Sequence, residues 1–108
     1  MVFEAEIILP DVVANAIEVR KRHYHKTTKG KVERFVVQLE IEYEGIWKEV
    51  IRYDCAHGFA HRDAYNLQGK HTKEELYLSF EDALTLADED IDDNWEDYRR
   101  RFLEGGII

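Results

Sequence analysis

The chain reads as an α+β protein, a twisted antiparallel β-sheet (a meander of about four strands) packed against one long C-terminal helix. Two observations predict it. Across "VERFVVQLEIEYEGIWKEVIRYD" (32–54), apolar and aromatic side chains recur at every second position, the period of a half-buried strand. From Phe80 onward they recur at three- and four-residue steps, the period of an amphipathic helix. A sheet with one apolar face and a helix with one apolar stripe can cover each other, and two layers result. The 108 residues show no repeat, low-complexity tract or Pro/Ser-rich linker, so one domain spanning 1–108 is expected.

The elements follow in order. Pro10, the sole proline, ends a short first element. "IEVRKRHYHK" (17–26) alternates in chemistry but carries few apolar residues, which suits a cationic edge strand. "KTTKGK" (26–31) has the composition of a turn. Phe35, Val37, Leu39, Ile41 and Tyr43 then line one strand face, and Arg34, Val36, Gln38, Glu40 and Glu42 the other. "EG" (44–45) closes a hairpin with "IWKEVIRYD". "FAHRDAYNLQG" (59–69) offers a further strand with Phe59, His61, Asp63 and Tyr65 on one face; "LQGK" turns it and "EELYLS" leads out. Ser79 caps the helix with Asp82 three residues on, and Phe80, Ala83, Leu84, Ala87, Ile91, Trp95, Tyr98 and Phe102 form its stripe. Acidic residues crowd its start and middle, Arg99, Arg100 and Arg101 its end, as the helix dipole favours, and Gly105 and Gly106 stop it.

Composition narrows the function classes. A net charge of −8 disfavours broad nucleic-acid binding, which rests on phosphate neutralisation. The average hides an asymmetry: residues 18–34 hold seven Lys/Arg, and residues 74–104 hold twelve Asp/Glu. Such a chain is suited to local RNA contact or to head-to-tail pairing with itself. No apolar run approaches the ~20 residues needed to cross a bilayer. The first residues carry Glu4 and Glu6 where a signal peptide has a basic region, and the lone Cys55 fits a reducing compartment, so a cytoplasmic location is expected.

The densest chemistry is "RYDCAHGFAHRD" (52–63). No Cys or His pair has zinc-ligand spacing, so neither a metal nor another cofactor is expected, although His57, His61, Asp54, Asp63 and His71 remain potential N/O ligands. Cys55 as a nucleophile would take His57 as its base; a lone cysteine is more often a small core residue. The coherent catalytic scheme is metal-independent RNA phosphodiester cleavage. His57 and His61 serve as acid and base, Arg52 and Arg62 clamp the phosphate, and Tyr53, Tyr65 and Asp63 complete the substrate contacts. The competing structural account has Asp54 capping the Ala56–Gly58 turn, Arg62 pairing with Asp63 or the acidic helix, and His61 satisfied inside. The acidic run "DEDIDDNWED" (88–97) is no calcium loop, since Asp93 holds the place that needs glycine.

Arg52, Tyr53, Asp54, Ala56, His57, Gly58, His61, Arg62 and Asp63 compose a pattern RYD-x-AHG-x-x-HRD, and Asn94, Trp95, Tyr98, Arg101 and Phe102 a helical NW-x-x-Y-x-x-RF. In these motifs, over about residues 32–104, the chain resembles a small prokaryotic family of unknown function. More distantly, a hairpin ending in RYD and followed by strand histidines is similar to TumE-like toxins of toxin–antitoxin pairs. That similarity implies a small RNA-targeting toxin neutralised by an antitoxin-like protein partner. The rival expectation is a non-catalytic interaction module that self-associates, as a homodimer, or binds a protein through the 18–26 strand and the acidic helix face.

Overall fold

The computed structural model describes residues 1–9 and 18–107, in which one helix lies on a six-stranded antiparallel sheet. The strands are β1 (Val2–Leu9), β2 (Val19–Thr28), β3 (Lys31–Tyr43), β4 (Ile46–Asp54), β5 (His61–Tyr65) and β6 (His71–Glu75), each hydrogen-bonded to the next in chain order. A 3-10 turn (Ala56–Gly58) joins β4 to β5, and α1 (Phe80–Leu103) follows β6.

The sheet therefore has six strands where about four were expected. The two that periodicity underweights are the edges. β1 is exposed on both faces over most of its length, and "HTKEE" of β6 is exposed at every residue. With neither face buried, nothing forces apolar residues into an alternating pattern. Residues 19–26 of the segment expected at an edge fall in β2, which lies between β1 and β3. Its cations guard no edge. The expectations placed on Pro10 and Ile17 lie outside the described residues.

Directly opposed residues of an antiparallel sheet share a face. On the helix side these are Val19 of β2, Phe35, Val37, Leu39 and Ile41 of β3, Ile51 and Tyr53 of β4, and Ala64 of β5. They close on Ala83, Ala87, Ile91 and Phe102, all buried. The small Ala83 and Ala87 let the helix come close, and each large side chain buried here contributes about 1.5–3 kcal/mol. Ser79 Oγ accepts the Asp82 N–H, as the capping signature predicts. Gly105, at φ +84°, turns the chain out of the helix while Gly106 N–H donates to the Arg101 carbonyl.

Two features position the rest. Leu39 pairs with Ile51 but Glu40 with Glu49, so Val50 is one extra residue in β4, a bulge that is itself fully buried. The charge asymmetry of the sequence is met within the chain: the buried Lys21 Nζ lies 2.9 Å from Asp88 and 2.8 Å from Asp92 of α1. Burial opposes its charge, but hydrogen bonds to Asp92 and Asp88 outweigh that and raise its pKa. His23 Nδ1 also meets Asp88, at 2.9 Å. Among the described residues, no helix is long and apolar enough to cross a membrane.

Candidate functional site

The register across the β4–β5 turn decides what the 52–65 cluster can do. Asp54 opposes His61, Tyr53 opposes Arg62, and Arg52 opposes Asp63. Arg52, Asp54, His61, Asp63 and Tyr65 thus share the helix-free face, while Tyr53 and Arg62 face the helix. The two arginines expected to hold one phosphate lie on opposite sides of the sheet. The two expected acid–base histidines are separated by burial: His57 is exposed on the turn at φ +68°, whereas His61 is 2% exposed.

On the helix side, Arg62 Nε donates to Tyr53 Oη (3.2 Å), and its guanidinium lies 6.0 Å from the Tyr98 ring. Asp90 accepts from the hydroxyls of Tyr53 and Tyr98, 2.5 Å each, and from Asn94 Nδ2 at 2.9 Å. Burial and then the Asp90 hydrogen bond push the Tyr98 phenol up to about 12, and the same two causes raise Tyr53. Both tyrosines are neutral donors; Tyr53 of β4 fastens the sheet to the helix through Asp90, and Tyr98 meets Arg62 of β5 from the helix.

On the helix-free face, side chains form one line of hydrogen bonds and ion-pair contacts across all six strands. Glu6 of β1 meets Arg20 Nη1 of β2 at 3.2 Å, and Arg20 Nε meets Glu40 of β3 at 2.5 Å, its guanidinium lying over the Trp47 ring at 3.9 Å. Glu40 also accepts from Gln38, whose Oε1 accepts from Arg52 Nη1 of β4 at 3.0 Å. Arg52 Nε then donates to Asp54 Oδ2 at 2.6 Å. The other Asp54 oxygen faces His61 Nε2 of β5 and accepts the Ala56 N–H at 3.2 Å, the turn-capping role anticipated for it. His61 Nε2 lies 3.4 Å from Asp63, and Asp63 Oδ1 lies 2.7 Å from His71 Nε2 of β6. Tyr65 stacks on His71 with centroids 4.6 Å apart; burial, then Glu49, pushes its phenol up to about 12.

Sequence reasoning missed Arg20, Gln38 and Glu40 as members of this line, because polar residues alternating along a strand look like a solvated face. The signal present was complementary charge or hydrogen bonding at matching positions of neighbouring strands, Arg20 against Glu40 and Gln38 against Arg52.

Beside the line opens a cleft of about 640 Å³ whose walls include Glu4, Glu6, Glu40 and Glu49 against Arg22 and Arg52. Four carboxylates to two guanidinium groups make it a poor seat for a phosphate. Cys55 is buried, its thiol against the Phe35 backbone (3.4 Å from the amide nitrogen), and burial raises its pKa, the reverse of what a nucleophile needs.

Among the described residues, exposed apolar side chains gather on β1, where Val2, Phe3, Ile7 and Ile8 are 55%, 46%, 48% and 52% exposed. Glu4 and Glu6 point to the helix-free side, Phe3 and Ile7 to the other. Phe3 is braced by an edge-on His23 (5.3 Å) and a stacked His25 (5.4 Å).

Neither a curated protein nor a solved structure matches the chain. A family model does, over residues 11–106, a stretch that holds the β4–β5 cluster, the helix and all strands but β1. The chain belongs to that family, described as a domain of unknown function, DUF7718.

Proposed function

We propose that the chain is a non-catalytic binding module that takes an extended segment of a partner protein along the free edge of β1. The observation that carries it is the character of that edge: eight residues long, terminal in the sheet, with Phe3 and Ile7 on one side and, on the other, Glu4 and Glu6 flanked by Val2 and Ile8. An edge strand offers unpaired backbone donors and acceptors, and natural sheets usually blunt such edges with lysine, proline or a cover. A segment alternating basic and apolar residues complements β1, much as β2 sets Arg22 opposite Glu6 on its inner side. The acidic net charge of −8 favours the encounter.

The self-associating alternative fits less well. A symmetric antiparallel pairing of two β1 strands centred on Glu4, Ala5 or Glu6 sets glutamate against glutamate. The phosphodiesterase scheme draws less support still, since Arg52 and Arg62 occupy opposite faces and His61 is engaged by Asp54.

The test uses a ten-residue synthetic peptide alternating lysine with valine, its Lys→Glu counterpart, and a version N-methylated on alternate amides. Isothermal calorimetry on the whole chain should show micromolar binding of the basic peptide alone. The Glu4→Lys, Glu6→Lys chain should lose at least about tenfold in affinity for it. Binding of all three peptides alike, or of none, overturns the reading, as does a homodimer in sedimentation analysis dissolved by those same substitutions.

A further inference from the structure

The geometry points to a divalent transition-metal site on the helix-free face, held by Asp54, His61 and Asp63 with His71 at its mouth. One ligand atom from each of the first three lies within 4.8 Å of the others, and His71 Nε2 is 2.7 Å from Asp63. An ion about 2.0–2.2 Å from each nitrogen and oxygen needs only small side-chain shifts to fit among them. Two imidazole nitrogens and two carboxylates form an N2O2 set suited to tetrahedral Zn²⁺.

Charge and hydrogen bonding argue for the ion independently of spacing. Asp54, His61 and Asp63 are 6%, 2% and 5% exposed, and a buried carboxylate needs a cation beside it. Asp54 has Arg52, whereas the ion-pair partners of Asp63 among the described residues are imidazoles, cationic only when protonated. The other nitrogen of His61, Nδ1, lies 3.3 Å from the Phe59 carbonyl. Donation to that carbonyl puts the proton on Nδ1 and turns the Nε2 lone pair toward two carboxylates. A lone pair facing two anions is repulsive until a cation stands between them. Backbone orientation of the far nitrogen is the usual outer-shell arrangement of a metal-bound histidine. His71, its side chain 44% exposed, gives the ion a way in. The ligands come from β4, β5 and β6, so the ion would also pin a fully exposed edge strand to the sheet.

This departs from the expectation, drawn from spacing along the chain, that no metal is bound. The register supplies what spacing lacks, because Asp54 and His61 are opposed across the ladder.

The experiment is calorimetric titration of the full chain with ZnCl₂ at pH 7.5, with Co²⁺ absorption as a second readout. The result expected is one ion per chain and the intense visible bands of a tetrahedral Co²⁺ site. Asp63→Asn should abolish both; His71→Ala, at an exposed position that leaves the fold intact by circular dichroism, should weaken Zn²⁺ at least about tenfold. His23→Ala should change neither, although His23 Nδ1 also meets a carboxylate, Asp88. Refusal of Zn²⁺ by the folded wild type leaves a protonated imidazole as the cation in that gap and overturns the assignment. Uptake that survives His71→Ala unchanged but is lost in His23→Ala overturns it too, by moving the ion to β2.

Discussion

On the helix side of β3, Phe35, Val37, Leu39 and Ile41 exclude water by apolar contact with α1. On the other side of the same strand, the face away from α1, Gln38 and Glu40 are almost as hidden, at 6% and 5% exposed. Apolar packing is non-directional. The polar face is directional: from Glu6 to Asp54 each group has its place because the next one accepts or donates, so a break is felt by its neighbours. One face holds the fold together; the other fixes which side chains meet.

That contrast can be broken in three ways. The largest effect belongs to the apolar side. Phe35→Ala should cost about 3–5 kcal/mol by urea unfolding, because the cavity lies under a helix that cannot follow it inward. A loss under ~1 kcal/mol would mean the helix does not seal this face. On the polar side, Gln38→Ala should cost about 1–3 kcal/mol although it removes little apolar area, since it strips a partner from both Glu40 and Arg52. A double-mutant cycle with Asp54→Ala should be non-additive; simple additivity would show the line to be a row of separate pairs.

The smallest effect is a pH dependence confined to alkaline solution. The Tyr98 phenol sits at about 12 in the fold against 10.0 ordinarily, so the folded chain keeps a proton that the unfolded chain has released. Its contribution is whole below pH 10 and drains away as the pH climbs towards 12. Lys21, also raised, loses its contribution over the same alkaline side. Unfolding free energy measured from pH 9 to 11.5 should fall more gently in Tyr98→Phe than in the wild type, and equal slopes would remove Tyr98 from the account.

How far the sequence spoke depended on which face was being read. The helix, its Ser79 cap and the β3–β4 hairpin were legible, since burial against one partner imposes a period of 3.6 or 2 on the residues themselves. β1 and β6 were not, being held by backbone ladders with little side-chain burial to leave a trace. The cluster at 52–65 was legible as a place of dense polar chemistry, and Asp54 as a turn cap. Its division between two faces was not, because the parity that separates Arg52 from Arg62 depends on how many residues the Ala56–Gly58 turn takes up. The wider polar line lay further out of reach: Arg20 and Glu40, or Asp63 and His71, meet only once the strands are in register.

The bulge at Val50 sets the phase of everything after it in β4. Were the ladder continuous from Glu40↔Glu49, Leu39 would face Val50, and Arg52 and Asp54 would point under the helix while Ile51 and Tyr53 stood on the open side. One surplus residue thus works like a frameshift in three dimensions. For this strand the count of residues matters beyond the chemistry at position 50: that side chain is fully buried and must stay apolar, and the insertion should be kept wherever the charged line persists.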